Sequence, residues 1–234
     1  MINIKKETLK LVLDLQKMSK SADKLSIRND RIRRLKKRAI AEDAEDRLAE
    51  FLFNVLDDKK IEIYINGSIN GLRPDIIILK DNVVIAIVEL KMNFGWCRNI
   101  FDPKIDNKYR YSERSQIHER FKTLEKLKNK DISFDNGSEN ISIKLSSKYK
   151  LFYVSTSEEN YLGNTNMKDD FKQFIKDNPL YKNIVYFSVL TERYHYDRLK
   201  DEWPKENEIS ESIDVLFDTE FGINKLIERI KREL

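Results

Sequence analysis

One run, Val83-Val84-Ile85-Ala86-Ile87-Val88-Glu89-Leu90, constrains this chain more than any other. In an extended strand successive side chains leave opposite faces. A run that is apolar at both parities therefore has two faces to keep from water, and belongs at the centre of a sheet covered on either side. One neighbour is close in sequence. Pro74-Asp75-Ile76-Ile77-Ile78-Leu79 has the same character, and Lys80-Asp81-Asn82 between the two has the composition of a short hairpin turn.

The remaining elements follow from periodicity. Ile61, Ile63 and Ile65 alternate with polar residues and predict a strand ended by Asn66-Gly67, with a turn-rich stretch on to Gly71. Lys150–Ser155 and Ile184–Leu190 predict two more strands. Leu9, Val12, Leu13 and Leu15 give an apolar side to a helix over 5–20, with a break at Ser19-Lys20-Ser21. Ala44, Leu48, Phe51, Leu52 and Val55 have clean helical spacing within 38–56. Ile117, Phe121 and Leu124 mark a helix over 112–129, a further helix is expected at 167–176, and the amphipathic 221–234 ends the chain. The order helix, three strands, helix, strand, helix, strand predicts an α/β fold, a three-layer sandwich with a mixed central sheet.

Composition narrows the function. The chain has 234 residues, enough for one sizeable core or two small ones, and its six glycines and four prolines argue against long flexible linkers. The net charge of +4, from 44 basic and 40 acidic residues, neither requires nor excludes nucleic acid. A single cysteine, Cys97, leaves no intramolecular disulfide and fits a reducing compartment. There is no apolar run long enough to span a membrane and no signal-peptide pattern, so a cytoplasmic location without membrane contact is expected. Two histidines, His118 and His195, argue against histidine-rich metal sites. No phosphate loop, nucleophile elbow or C-x-x-C pair is present, and no nucleotide cofactor is evident.

The chemistry concentrates at one end of the apolar hairpin. Glu89 and Lys91 are two apart on a strand, so they leave the same face. Asp75 lies near the start of the preceding strand, which the hairpin brings alongside the end of the next. Asp75, Glu89 and Lys91 are therefore expected to converge. Carboxylates in such a place must be paired, solvated or metal-bound, and a divalent cation relieves the repulsion between two of them. Magnesium prefers oxygen ligands of this kind and keeps several waters.

Pro74-Asp75 followed by Glu89-Leu90-Lys91, on a hairpin preceded by an amphipathic helix, resembles the PD-(D/E)XK nuclease superfamily. The resemblance covers roughly residues 38–155. It implies a restriction-endonuclease-like core with extra helices at both ends, in a domain running over 38–234 (core 38–191, C-terminal helices 192–234) behind a basic helical arm, 1–37. It implies that Asp75 and Glu89 bind Mg2+, or Mn2+ in its place, helped by the backbone carbonyl of Leu90, and that Lys91 orients or activates the attacking water. Many members carry a glutamate on the preceding helix. At about 100° per residue Glu45 lies at the edge of the apolar stripe while Glu42 and Glu50 point away, which makes Glu45 the candidate fourth acid, expected on the metal with Asp75 and Glu89. Some exonuclease-like branches place a glutamine and a tyrosine four apart on the next helix; here Gln116 is followed by Arg120, which favours an endonuclease.

The activity implied is metal-dependent hydrolysis of DNA phosphodiesters, as a restriction endonuclease. Its rivals are a structure-selective repair or recombination nuclease and a catalytically inactive DNA-binding or interaction module of the same fold. Cutting both strands takes two sites, so a homodimer is expected. The stretch 28–38 is strongly basic, with Arg31, Arg33, Arg34, Lys36, Lys37 and Arg38 against the single Asp30. It reads equally as a solvated helix face or as a segment tracking DNA phosphates. Arg120 reads as a buried ion pair with Glu113, with a phosphate contact beside the site as the functional alternative. Trp96 reads as a packing residue before a base-stacking one.

Overall fold

The structure is a computed structural model, and it describes residues 2–24, 41–91, 101–102, 110–111, 116–135, 137–157, 184–190, 204–220 and 222–233. Among these residues the helices are α1 (Ile4–Lys24), α2 (Ala41–Leu56), α3 (Gln116–Leu127), α4 (Glu206–Leu216) and α5 (Ile223–Lys231). The strands are β1 (Ile61–Ile65), β2 (Ser68–Ile69), β3 (Ile76–Lys80), β4 (Val83–Lys91), β5 (Phe101–Asp102), β6 (Arg110–Tyr111), β7 (Asp131–Asp135), β8 (Asn140–Ser157) and β9 (Ile184–Leu190).

Among the described residues seven strands form one mixed sheet in the order β1-β3-β4-β8-β7-β2, with β9 also paired to β8, while β5 and β6 form a separate ribbon. The chain is thus a mixed α/β protein. β3 runs antiparallel to both β1 and β4, and β8 lies parallel to both β4 and β9. The expectation for residues 83–90 holds: β4 sits between β3 and β8, and Val84 through Val88 are buried.

Strand alternation sends neighbouring residues into two cores. Ile76, Ile78, Val88 and Leu90 join the helices α1, α2, α4 and α5 on one face. Ile77, Leu79, Val84 and Ile87 join a second cluster on the other face with Leu124 of α3 and with Ile69, Ile132, Phe134, Ile143 and Tyr149. The second core exists because β8 changes course. Val84 pairs with Leu145 and Ala86 with Lys150, so the four residues 146–149 face the single residue Ile85. An irregularity of this size bends a strand. Tyr149 turns inward there, and its hydroxyl donates to Glu125 of α3 at 2.9 Å. Burial, then that hydrogen bond, push the Tyr149 pKa well above the usual phenol range.

Helix α2 forms over its expected stripe, with Ala44, Leu48, Phe51, Leu52 and Val55 all buried. Glu42 and Asp43 in its first turn suit the helix dipole, and Asp57 just past its end takes a left-handed φ of 49°. Two expectations need correcting. Helix α1 runs through Ser19-Lys20-Ser21 without a break, since serine and lysine cost a helix little where glycine and proline are absent. The fourth strand is far longer than Lys150–Ser155 and is preceded by β7, which pairs with it across a hairpin. The helix expected at 167–176 lies outside the described residues, as do the basic residues Arg31, Arg33, Arg34, Lys36, Lys37 and Arg38. No helix among the described residues is long and apolar enough to cross a membrane.

Candidate active site

The geometry at the open end of the β3–β4 hairpin depends on a one-residue bulge. At the closed end Asp81 and Asn82 both take left-handed φ values, 51° and 61°, as a two-residue hairpin turn requires, and they set Lys80 opposite Val83 and Leu79 opposite Val84. The next pair is Ile78 with Ala86, so Ile85 is an extra residue on β4. Beyond it Ile77 faces Ile87 and Ile76 faces Val88. One step further, the same register sets Asp75 opposite Glu89. Without the bulge Asp75 would face Val88, and Glu89 would leave the other side of the sheet, because a one-residue slip reverses every side chain.

Asp75 is held in that place from both sides. Its Oδ2 accepts a hydrogen bond from the Leu90 amide at 2.7 Å. Its backbone carbonyl accepts one from the Asn66 amide at 3.0 Å, which continues the β1–β3 ladder past its last strand pair. Glu89 is fully buried, at 0% exposure. On its far side it pairs in register with Tyr153 of β8, a residue of the second core, which is itself buried. Removing an ionised carboxylate from water costs several kcal/mol, on the order set by ion desolvation, so Glu89 has to be met by donors or by a cation. Asp75, only part-buried, keeps a path to solvent.

Glu45 approaches from α2. About 11 residues of helix separate it from Leu56, some 16 Å at 1.5 Å each, and about five residues of strand carry β1 from Ile61 to Asn66, again some 16 Å. The two antiparallel legs match, and Glu45 arrives level with Asn66. The Asn66 side-chain amide donates to Glu45 Oε2 at 3.0 Å. Glu45 is 9% exposed, while Glu42 and Glu50 are exposed, as the helical wheel requires. Gly67 follows, buried, where a Cβ would lie 2.8 Å from Phe134 Cε2.

The hairpin therefore brings Asp75 and Glu89 to one level of the sheet, with the Leu90 amide bonded to Asp75 and Glu45 tied to the same level through Asn66. Lys91 ends β4, its backbone paired with Ser155. The Lys91 side chain and that of Arg120 lie outside the described residues. No group of three or more acidic, histidine or cysteine side chains forms a metal-binding cluster among the described residues. The donor set that fits a divalent cation is accordingly a carboxylate pair and a carbonyl. Magnesium accepts that set, since it is commonly held by one or two carboxylates and completes its shell with water.

Sequence reasoning missed three contributors. Asn66 read only as a strand terminator, although asparagine is among the few residues that accept a left-handed φ, here 56°, while offering an amide. Ile85 carried no signal of its bulge. Tyr153 stood in an expected strand without being matched to Glu89, because the pairing of parallel strands has no local mark. No protein-family model, curated protein or solved structure matches this chain.

Proposed function

We propose that this chain is a divalent-metal-dependent DNA endonuclease, built on a three-layer restriction-endonuclease-like core and working as a homodimer. The observation that carries the reading is the register of the β3–β4 hairpin, which sets Asp75 opposite a fully buried Glu89 and leaves the next amide, Leu90, bonded to the Asp75 carboxylate. The layering supports it: helices α1, α2, α4 and α5 cover one face of the sheet, and α3 lies against the other. Asp75, Glu89 and the Leu90 carbonyl would hold Mg2+ or Mn2+. When bound, such an ion supplies a Lewis acid for a phosphate oxygen and lowers the pKa of a water.

The remaining tasks fall to the chain. Asp75 and Glu89 orient each other's surroundings through the rigid ladder, which fixes their spacing without a mobile loop. The apolar residues that bury Glu89 keep bulk water from its carboxylate and strengthen its electrostatic hold. Lys91, two residues along the same strand, contributes the cation that meets the scissile phosphate and the attacking water. Glu45 sits behind the pair. Basic side chains at 31–38 would grip the DNA backbone without reading its sequence.

The test is purified protein on supercoiled plasmid and linear phage DNA, with magnesium, with EDTA, and as Lys91→Ala. Discrete fragments that need magnesium and vanish in the variant are the expected result. Nicking or smearing with the same dependence moves the role to repair or recombination. An absence of cleavage with magnesium and again with manganese overturns the restriction reading and leaves a branched-DNA nuclease or an inactive DNA-binding module.

A further inference from the structure

We infer that Asn66 is a positioning residue for the metal-binding pair, an inference that rests on the reading of Asp75 and Glu89 given above. Three observations meet in this one residue. Its backbone amide donates to the Asp75 carbonyl at 3.0 Å, so it fixes the main chain from which one proposed ligand projects. Its side-chain amide donates to Glu45 Oε2 at 3.0 Å, across 21 residues of sequence, so it fixes the acid that α2 brings to the same level. Its φ of 56° is what turns the chain so that both bonds form at once.

The chemistry of the residue suits this task. An amide is a neutral donor, so it orients a carboxylate without cancelling the charge that a cation would need. A lysine or arginine in its place would compete with the metal. Aspartate would accept the same backbone turn but would set a third negative charge against Glu45. Glycine would accept the turn and offer no amide. Asparagine alone among these satisfies the turn and orients Glu45 while leaving the acids charged. Partners that hold a ligand from behind in this way tune metal affinity even where they never touch the metal.

The substitutions separate orientation from folding. Asn66→Gly keeps the left-handed backbone and deletes only the side-chain bond. Asn66→Ala deletes the bond and strains the backbone, so a loss of stability is expected in it and not in the glycine variant. Full-length wild type, Asn66→Gly, Glu45→Gln and the double variant are titrated with Mn2+ by calorimetry, with thermal melts alongside. The expected result is a metal affinity about 10-fold weaker in Asn66→Gly, with an unchanged melting temperature. Glu45→Gln is expected to weaken binding similarly, and the double variant no further, because the two residues act through one bond. Wild-type affinity in Asn66→Gly overturns the inference even if the protein cleaves DNA. Weakened affinity in that variant sustains it even if no DNA is cut, in which case the nuclease reading falls alone. A wild-type protein that takes up no Mn2+ overturns both.

Discussion

At the closed end of the β3–β4 hairpin Lys80 meets Asp58 at 3.2 Å and Lys60 meets Asp81 at 3.8 Å, with all four side chains partly or largely exposed. At the open end of the same ribbon Glu89 is fully buried, and Asp75 is bonded to the backbone beside it. Both ends carry acids and lysines at the limits of apolar strands, so composition does not tell them apart. Burial does. Exposed pairs are hydrated, screened and worth little, and need no purpose beyond solubility. A buried carboxylate draws on the stability of the whole fold, and such groups gather where chemistry is done. Between the two ends lies the Ile85 bulge, which decides that Asp75 and Glu89 share a face.

The largest effect expected from breaking this contrast is at the open end. Glu89→Gln and Asp75→Asn preserve shape and remove charge, and each should slow plasmid cleavage at least about 100-fold, the order seen when one stabilising group of a catalytic site is lost. Lys80→Ala at the closed end should leave the rate unchanged. Equal losses at both ends would erase the distinction.

Inserting one alanine between Ile87 and Val88 tests the register. With Ala86 still opposite Ile78, the insertion sets Val88 opposite Asp75, so it should turn Glu89 to the other face, abolish Mn2+ binding in calorimetry, and lower the urea midpoint far more than Ile85→Val, which should cost about 1 kcal/mol. An insertion variant that binds metal with wild-type affinity would show that the register is not what pairs the acids. Gly67→Ala, beside Asn66, is expected to cost about 1–3 kcal/mol by overpacking against Phe134, read from denaturant unfolding. The smallest effect belongs to Asp58. The Lys60 backbone amide, then Lys80, hold its carboxyl below the ordinary 3.8. A depressed acid adds stability above its unfolded pKa and loses it as pH falls through the folded one. Melts of Asp58→Asn should therefore fall behind wild type at neutral pH and converge with it in acid; parallel curves would contradict that linkage.

Much of this was legible in the sequence. Ile184–Leu190, the α2 stripe and the both-faces burial of β4 follow from periodicity, and Glu45 was separable from Glu42 and Glu50 by helical angle alone. The hairpin of β7 with β8 was legible too and went unread: Ile132 and Phe134, then Ile141, Ile143 and Leu145, alternate around Asn136-Gly137. Other features have no local signature. The Ile85 bulge lies inside an unbroken apolar run where any residue could be the extra one. The four-residue excursion of β8 at 146–149 reflects the fit of Tyr149 beneath α3, a tertiary event. The pairing of Glu89 with Tyr153 spans 64 positions of chain and depends on which strands become neighbours.

Manganese located by anomalous diffraction in crystals of the full chain decides whether Asp75 and Glu89 form one metal site. The expected result is an anomalous peak between the two carboxylates, within bonding distance of both and of the Leu90 carbonyl, that disappears in Glu89→Gln. Manganese bound elsewhere, or no peak at that pair in crystals grown at millimolar manganese, would contradict it.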